Sequence, residues 1–502
     1  MNVLLVISDQ HQAKLLGCEG HKQAITPHMD RLAAEGVRFR HAYTQNPICT
    51  PSRVSILSGQ YCHNTGYYGL SGPTPTWLPS FFGHFKQHGY RTAGIGKMHL
   101  PNDPKVWAID DMTLYADSYE KHGHPMAPNT PYFKYLEDLG LRDKEDSIGL
   151  PELPGLQQHE GRPSNLPYEH SVEGWCAAQA MKFIDASGDT PFCMQVSLPR
   201  PHQCYTPDQQ FWDMYPDDLE LPPTIDQDPS ARPPHFRNTV NSYRKAEGAF
   251  EPKGRDHVSR RVWRAYLACI TQCDYALGQL VDHLEATGKL DNTIVVYGSD
   301  HGAYSTTHGV PEKAPGICSE EVCRVPFIWR LPEVAQAGHV AHELVENVDI
   351  APTIASLAGL PAMDWTDGRD ITALLRGEPS PVRDVAVTEH PWSKSIRWKN
   401  WRMVHYQPEM FDEPAGELYD IAGDPNESTN LFFDDAHQST VNEGRQLLLE
   451  WLIRTTRTTT MWPPEHWSRG PGAKPYTLGA DGKQSNTAGP TQSVAAGRLN
   501  YI

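Results

Sequence analysis

The chain has 502 residues, of which 39% are hydrophobic and 10% aromatic. That is more than one small core needs and too apolar for a disordered or fibrous chain, so one large domain with a smaller companion is expected. Lys and Arg number 44 against 61 Asp and Glu, a net charge of −17. This argues against nucleic acid as a partner and requires any anionic substrate to find a local basic pocket. The apolar run at residues 3–7 has no basic segment before it and meets Ser8, Asp9 and Gln10 at once. It is too short for a secretory leader, and no other stretch approaches ~20 apolar residues. The expectation is a cytoplasmic protein without a membrane partner. Ten scattered cysteines do not make a disulfide scaffold and fit a reducing compartment.

In chain order, residues 3–7 predict a buried strand. Residues 27–35 predict a helix with Thr26 as N-cap and Pro27 in its first turn. A helix is expected at 78–88, stopped at Gly89, then a strand at 91–95 that runs into Lys97, Met98 and His99. A helix at 173–186 and a strand at 192–198 follow. A long helix spans 262–287, and a strand at 293–297 runs into Ser299, Asp300 and His301. A strand at 325–330 and a helix at 349–357 complete this part. Beyond Gly377 the texture changes to short strands at 385–389, 395–398, 401–406 and 417–420, with a helix at 441–453. Two stretches rich in Pro, Gly and His, 104–169 and 222–255, read as long excursions that wall a pocket.

Alternating strands and helices predict an α/β fold with a mainly parallel sheet flanked by helices. A smaller C-terminal α+β subdomain follows. The expected organisation is a catalytic domain at 1–377, a subdomain at 378–462 with a small antiparallel sheet and a helix, and an extended tail at 463–502. The tail keeps Tyr476, Leu478, Leu499 and Tyr501 as anchors for a neighbouring subunit, so a homo-oligomer is expected. Four polar clusters follow apolar strands: Asp9-Gln10, Lys97 to His99, Arg200 to His202, and Asp300-His301. In parallel sheets ligands gather where strands end, and the repetition outweighs any one cluster.

The most informative segment is Cys49-Thr50-Pro51-Ser52-Arg53, followed by an apolar helix and Ser58-Gly59. A lone cysteine is ordinarily a buried thiol. This pattern instead resembles the formylglycine-dependent sulfatase signature of the alkaline phosphatase superfamily. Further matching stretches run from about Asn2 to Leu431: Thr26 to Ala33, Lys97-Met98-His99, Ser299 to Gly302, Asp349 to Thr353 and Glu417 to Asp420. The resemblance implies an alkaline-phosphatase-like fold and a sulfuric ester hydrolase. It implies that Cys49 is oxidised to formylglycine by a formylglycine-generating enzyme, whose hydrate attacks sulfur. A serine would end as a stranded sulfate ester. The diol has a second hydroxyl, and removing its proton expels sulfate and restores the aldehyde.

The same resemblance implies a divalent cation held by Asp9, Gln10, Cys49, Asp300 and His301. Oxygen ligands favour Ca2+, and the imidazole leaves Mn2+ or Mg2+ open. Arg53 is implied to fix the diol, Lys97 and Lys313 to bind sulfate, His99 to act as base, and His202 to face the leaving-group oxygen. The expected substrate is a small sulfated organic molecule or carbohydrate. Phosphonate monoester and phosphodiester hydrolases share the signature and the Asp-Gln/Asp-His set, and a non-catalytic relative is a third reading. Choline sulfatases rank lower, because Ala303 to His308 differs from their usual segment. Cys269 and Cys273, four apart on the long helix, read as core packing. Cys318 and Cys323 lack partners at zinc spacing. Trp392, Trp398 and Trp401 read as core and edge of the small sheet, with one a pocket wall.

Overall fold

Strand β1 (Asn2–Asp9) is buried along its whole length and lies in the middle of an eight-stranded sheet. The other strands in chain order are β2 (Val37–Tyr43), β3 (Arg91–Gly96), β4 (Asp111–Leu114), β5 (Phe192–Pro201), β6 (Thr293–Ser299), β7 (Phe327–Arg330) and β8 (His339–Glu346). They lie in the order β4-β3-β5-β1-β6-β7-β2-β8. Only β7 runs against its neighbours, β6 and β2. This computed structural model describes residues 1–70, 78–100, 104–114, 130–145, 161–247, 255–310, 313, 317–333, 337–380 and 382–457. The tail expected at 463–502 lies outside them.

A parallel sheet covered on both faces needs strands that are apolar on both sides. Val3, Leu5 and Ile7 of β1 join one core, with Val54, Ile56, Phe81 and Ile354 from helices Cys49–Ser58, Phe81–Gln87 and Ile350–Leu357. Leu4 and Val6 join the opposite core, with Leu32, Trp175 and Leu277 from helices Pro27–Glu35, Val172–Ser187 and Arg255–Ala286. Cys269 and Cys273 of the last helix are fully buried, as core packing requires.

The second sheet is antiparallel: β9 (Ala386–His390), β10 (Ser393–Trp398), β11 (Trp401–Tyr406) and β12 (Gly416–Asp420), ordered β12-β11-β10-β9. Helix Gln438–Thr455 covers it, setting Val441, Leu448 and Trp451 against Ile396, Trp398 and Met403. Gly444 allows this approach, since a Cβ there would meet the Trp398 ring at 2.8 Å. Thr388 Oγ1 donates to the Thr44 carbonyl (2.6 Å), and the Glu389 N–H donates to the Gln45 carbonyl (2.7 Å). These bonds fasten the small sheet to the chain that leaves β2.

The structure adds strands that sequence periodicity did not single out. Arg38, Arg40 and His41 interrupt the apolar pattern of β2, and β8 is a half-exposed edge. The stretches expected as excursions contain β4 and the helices Pro131–Asp138 and Pro234–Glu247. Thr26 occupies the N-cap position of helix Pro27–Glu35, but its side chain does not cap it. Thr26 Oγ1 instead accepts the Gly17 N–H and donates to Asp30. The first helical N–H groups go to Asp274, whose carboxyl oxygens accept from His28 (3.2 Å) and Met29 (2.6 Å).

Burial pushes the Asp274 carboxyl from 3.8 up to about 7, against the pull of the two N–H groups. The folded chain thus keeps this proton across a range where the unfolded chain has lost it. The contribution of Asp274 to stability therefore falls as pH rises from about 4 to about 7. Relative to Asp274→Asn, the wild type should lose up to about 4 kcal/mol across that window, read from urea midpoints at its two ends. A difference that does not change with pH would mean that Asp274 stays ionised throughout.

Candidate active site

Strands β3, β5, β1 and β6 are consecutive and parallel, so their C-terminal ends share one edge. Gly96 pairs with Ser197, and Ser8 with Ser299. The four polar clusters that follow these strands therefore converge. Strand β2 runs in the same direction as β6 and leads to helix Cys49–Ser58, all ten residues of which are buried. Asn46 sets its start, accepting the Ile48 N–H (2.9 Å) and donating to the Glu389 carbonyl (2.8 Å). Cys49 thus stands in the first turn of a buried helix, where free N–H groups favour an anion.

Arg53, one turn later, has no exposed surface. Its Nε donates to Asp300 Oδ2 (2.8 Å) and its Nη2 to Asp9 Oδ2 (3.1 Å). Its Nη1 reaches the Lys97 carbonyl (2.5 Å) and Ser197 Oγ (3.1 Å). Lys97 Nζ lies 2.7 Å from Asp9 Oδ2. Around the Cys49 Sγ stand His301 Nε2 at 3.4 Å, Lys313 Nζ at 3.6 Å and Asp9 Oδ1 at 3.9 Å.

This concentration of charge sets the protonation states. Burial raises the Asp9 carboxyl, but Lys97, His202, Arg53 and Lys313 outweigh it and hold it well below the usual carboxylate range. Burial and Asp9 push the Cys49 thiol up, yet Lys313, Lys97 and His301 bring it below its ordinary value. Burial, with Lys97 and Arg53, holds His99 well below the ordinary histidine value. Burial, with Lys97 and Lys313, does the same to His202. Both imidazoles are therefore held in the neutral form.

One ligand atom each from Asp9, Cys49, Asp300 and His301 lies within 4.8 Å of the others, all buried. Arg53 and Lys97 occupy the Oδ2 atoms of the two aspartates, while His301 Nε2 lies 4.0 Å from Asp9 Oδ1 and 3.9 Å from Asp300 Oδ1. The residues present fit a divalent cation, with two carboxylate oxygens and an imidazole nitrogen converging. Gln10 Oε1 accepts from Lys313 Nζ (2.7 Å), and its Nε2 donates to Gln203 Oε1 (3.3 Å). The ammonium can face only the amide oxygen, so these two bonds together fix how the Gln10 amide is turned.

The family model described as Sulfatase matches residues 1–360 of this chain. The chain belongs to the sulfatase family. A second family model, described as N-sulphoglucosamine sulphohydrolase, C-terminal, matches residues 316–453. The chain is 27% identical to a choline-sulfatase of Rhizobium meliloti over 445 residues, covering 86% of this chain and 82% of that protein. It resembles a structure solved with its substrate D-glucosamine-2-N,6-O-disulfate at a TM-score of 0.72 and 22% identity, covering 90% of this chain and 98% of that one. It also resembles the phosphonate monoester hydrolase of Silicibacter pomeroyi at a TM-score of 0.76 and 21% identity, covering 96% and 99%. This sulfatase is a sulfuric ester hydrolase.

The sulfatase fold brings Asp9, Gln10, Cys49, Arg53, Lys97, Asp300, His301 and Lys313 into one bonded cluster, with His99 and His202 in its electrostatic field. Sequence reasoning missed Gln203 and Ser197, which touch the cluster through hydrogen bonds. Ser197 lies inside a buried strand, and Gln203 carries no motif. It also missed Glu389, which gathers His63 (2.9 Å), Tyr68 (3.2 Å) and Lys394 (3.2 Å) beside the Cys49 loop. Trp398 is core, and Trp392 is half-buried against His390 and Tyr406. Among the described residues no other group of His, Cys, Asp or Glu has metal-binding geometry.

Arg53→Lys keeps the charge and loses the fork that spans both aspartates. It should lower kcat/KM on the order of a hundredfold and reduce unfolding free energy by about 3 kcal/mol. Steady-state kinetics together with urea unfolding would check this, and a lysine variant of wild-type activity would contradict it.

Proposed function

We propose that Cys49 is converted to formylglycine and that this sulfatase hydrolyses the sulfate ester of a small organic molecule or carbohydrate. The observation that carries it is the placing of Cys49 Sγ at the start of a buried helix, 3.6 Å from Lys313 and 3.4 Å from His301. The formylglycine hydrate would supply one hydroxyl to attack sulfur and a second to release the sulfate. A cation held by Asp9, Gln10, Asp300 and His301 would supply Lewis-acid polarisation. Hard oxygen donors support Ca2+, with Mn2+ and Mg2+ as the other outcomes of metal analysis.

The chain's own groups carry the remaining steps. Lys97 and Lys313 offset the charge of a sulfate that enters an otherwise acidic protein. Arg53 holds the two aspartates apart and oriented. Neutral His99 accepts the proton whose removal expels sulfate. Neutral His202, whose Nδ1 lies 2.6 Å from the Gln203 carbonyl, faces the leaving alcohol. Lys313 is the cation positioned to protonate that alcohol. The absence of disulfides among the described cysteines supports a reducing, cytoplasmic setting. Among the described residues no helix is long and apolar enough to cross a membrane.

A second reading, hydrolysis of phosphonate monoesters or phosphodiesters, draws on the amide of Gln10 beside Lys313 in place of a further carboxylate. Phosphonate monoesters and phosphodiesters carry one negative charge, as sulfate esters do, so the same cationic side chains suit them. Parallel kcat/KM values for an aryl sulfate and phenyl phosphonate discriminate the two.

The tryptic peptide carrying Cys49 should show the mass change of losing hydrogen sulfide and gaining an oxygen atom when the generating enzyme is co-expressed. Cys49→Ser should release at most one product per site and then stall. Full activity with an unmodified thiol in every copy, or repeated turnover by the serine variant, would end this mechanism. Asp300→Ala should lose both the bound metal and catalysis, the latter by a factor on the order of a thousand or more. Metal content and kinetics measured on the same dialysed sample test this together. Much less than one ion per chain in fully active enzyme would refute the metal assignment.

A further inference from the structure

Between His301 and Val310 the chain adopts a backbone that ordinary residues avoid. Ser305, Thr306 and His308 have φ of 44°, 79° and 56°, and Gly309 has 72°. Only the glycine takes the left-handed region without cost, and a β-branched threonine there is a true outlier. The turn closes on itself, with the Thr306 N–H donating to the Val310 carbonyl (2.7 Å) and the Gly309 N–H to the Thr306 carbonyl (3.1 Å). Its root is pressed flat. The Gly302 N–H donates to the Val322 carbonyl (2.8 Å), and a Cβ on Gly302 would lie 1.9 Å from the Glu321 carbonyl. Strain of this kind persists only where the surroundings over-determine it.

The surroundings converge on His308, whose side chain is buried. Its N–H donates to Thr224 Oγ1 (3.2 Å), its Nδ1 meets Gln227 Oε1, and its Nε2 lies 3.5 Å from Glu321 Oε2. Lys14 Nζ holds Glu321 at 3.0 Å. Gln227 is held in turn, its Nε2 donating to the Glu427 carbonyl (3.2 Å). Two chain segments therefore grip one imidazole from opposite sides, one from the 222–255 stretch and one following the site loop. The gripped residue lies five positions before Lys313, whose ammonium reaches Gln10 Oε1 and the Cys49 Sγ.

We propose that His308, clamped by Gln227 and Glu321, is a positioning residue that keeps this loop in its strained form and so aims Lys313 at the reaction centre. Released from the clamp, Ser305, Thr306 and His308 relax toward negative φ, and the position of Lys313 shifts with them. Displacement of a charged group by about 1 Å is enough to cost on the order of a hundredfold in rate. This rests on the reading of Lys313 as a sulfate-binding group, and the test separates the two.

The test is a double-mutant cycle on full-length, metal-loaded enzyme, reading kcat/KM for an aryl sulfate. His308→Ala should lower it about thirtyfold or more in the wild-type background, and no more than about threefold once Lys313→Ala is present, because the two act as a unit. Equal fold-losses in both backgrounds, or a His308→Ala enzyme of wild-type activity, would overturn the positioning role. A Lys313→Ala enzyme of wild-type activity would overturn the Lys313 assignment instead. If His308→Ala does not fold, Gln227→Ala enters the same cycle with the same criterion. Thr306→Gly gives an independent readout. Because glycine takes this φ without cost, the substitution should raise the melting temperature, leave the wild-type kcat/KM within about threefold, and restore part of the activity lost in His308→Ala. No recovery in the double variant would show a merely structural loop.

Discussion

Arg53 stands between Asp9 and Asp300, and none of the three has exposed surface. Two ionised carboxylates cannot share a dry site unless positive charge lies between them, and leaving either one unpaired there would cost several kcal/mol. The guanidinium answers both at once, since its planar fork reaches Asp300 with Nε and Asp9 with Nη2. It also takes in the Lys97 carbonyl and Ser197. One side chain on the Cys49 helix thereby draws together the ends of β1, β3 and β6 and the interior of β5. It also engages the Oδ2 atom of each aspartate, while Asp300 Oδ1 accepts the Gln10 and His301 N–H groups.

The same grouping explains how an acidic sulfatase receives an anion. The −17 of the whole chain lies over a core cluster in which Arg53, Lys97 and Lys313 accompany Asp9 and Asp300. Burial raises the effective strength of these charges relative to those on the surface, which salt screens. Burial also keeps His99 and His202 neutral, so that positive charge and neutral imidazoles coexist within one pocket.

The small sheet is part of this arrangement. Glu389 and Thr388 of β9 hold the Thr44 to Asn46 segment that introduces Cys49. Farther along the sheet, Arg402 pairs with Glu427, and Arg232 with Glu417 at 3.1 Å. These buried pairs tie the stretch before helix Pro234–Glu247, and through Gln227 the His308 turn, to the same sheet. The Cys49 segment and the His308 turn are thus both bonded to the small sheet.

Much was legible in the sequence for a physical reason. Buried parallel strands must be continuous apolar runs, so β1, β3, β5 and β6 announce themselves, and the polar residues that end them mark the active edge. The Cys49 to Arg53 motif shows because its chemistry needs those residue types at that spacing. Strands β2 and β8 did not show, since Arg38, Arg40 and His41 in one and the half-exposed face of the other break the periodicity. Thr26 reads as a helix cap, yet Asp274, nearly 250 positions away, makes the bonds. Gln203, Glu389 and His308 likewise act through partners distant in sequence, and no local pattern records such a meeting. The sequence by itself determined the class of sheet and the edge at which the candidate site residues gather. Only the tertiary structure decided which oxygen of each aspartate is engaged, how the Gln10 amide is turned and what holds the Lys313 loop, because each depends on contacts between segments that are neighbours only once the chain has folded.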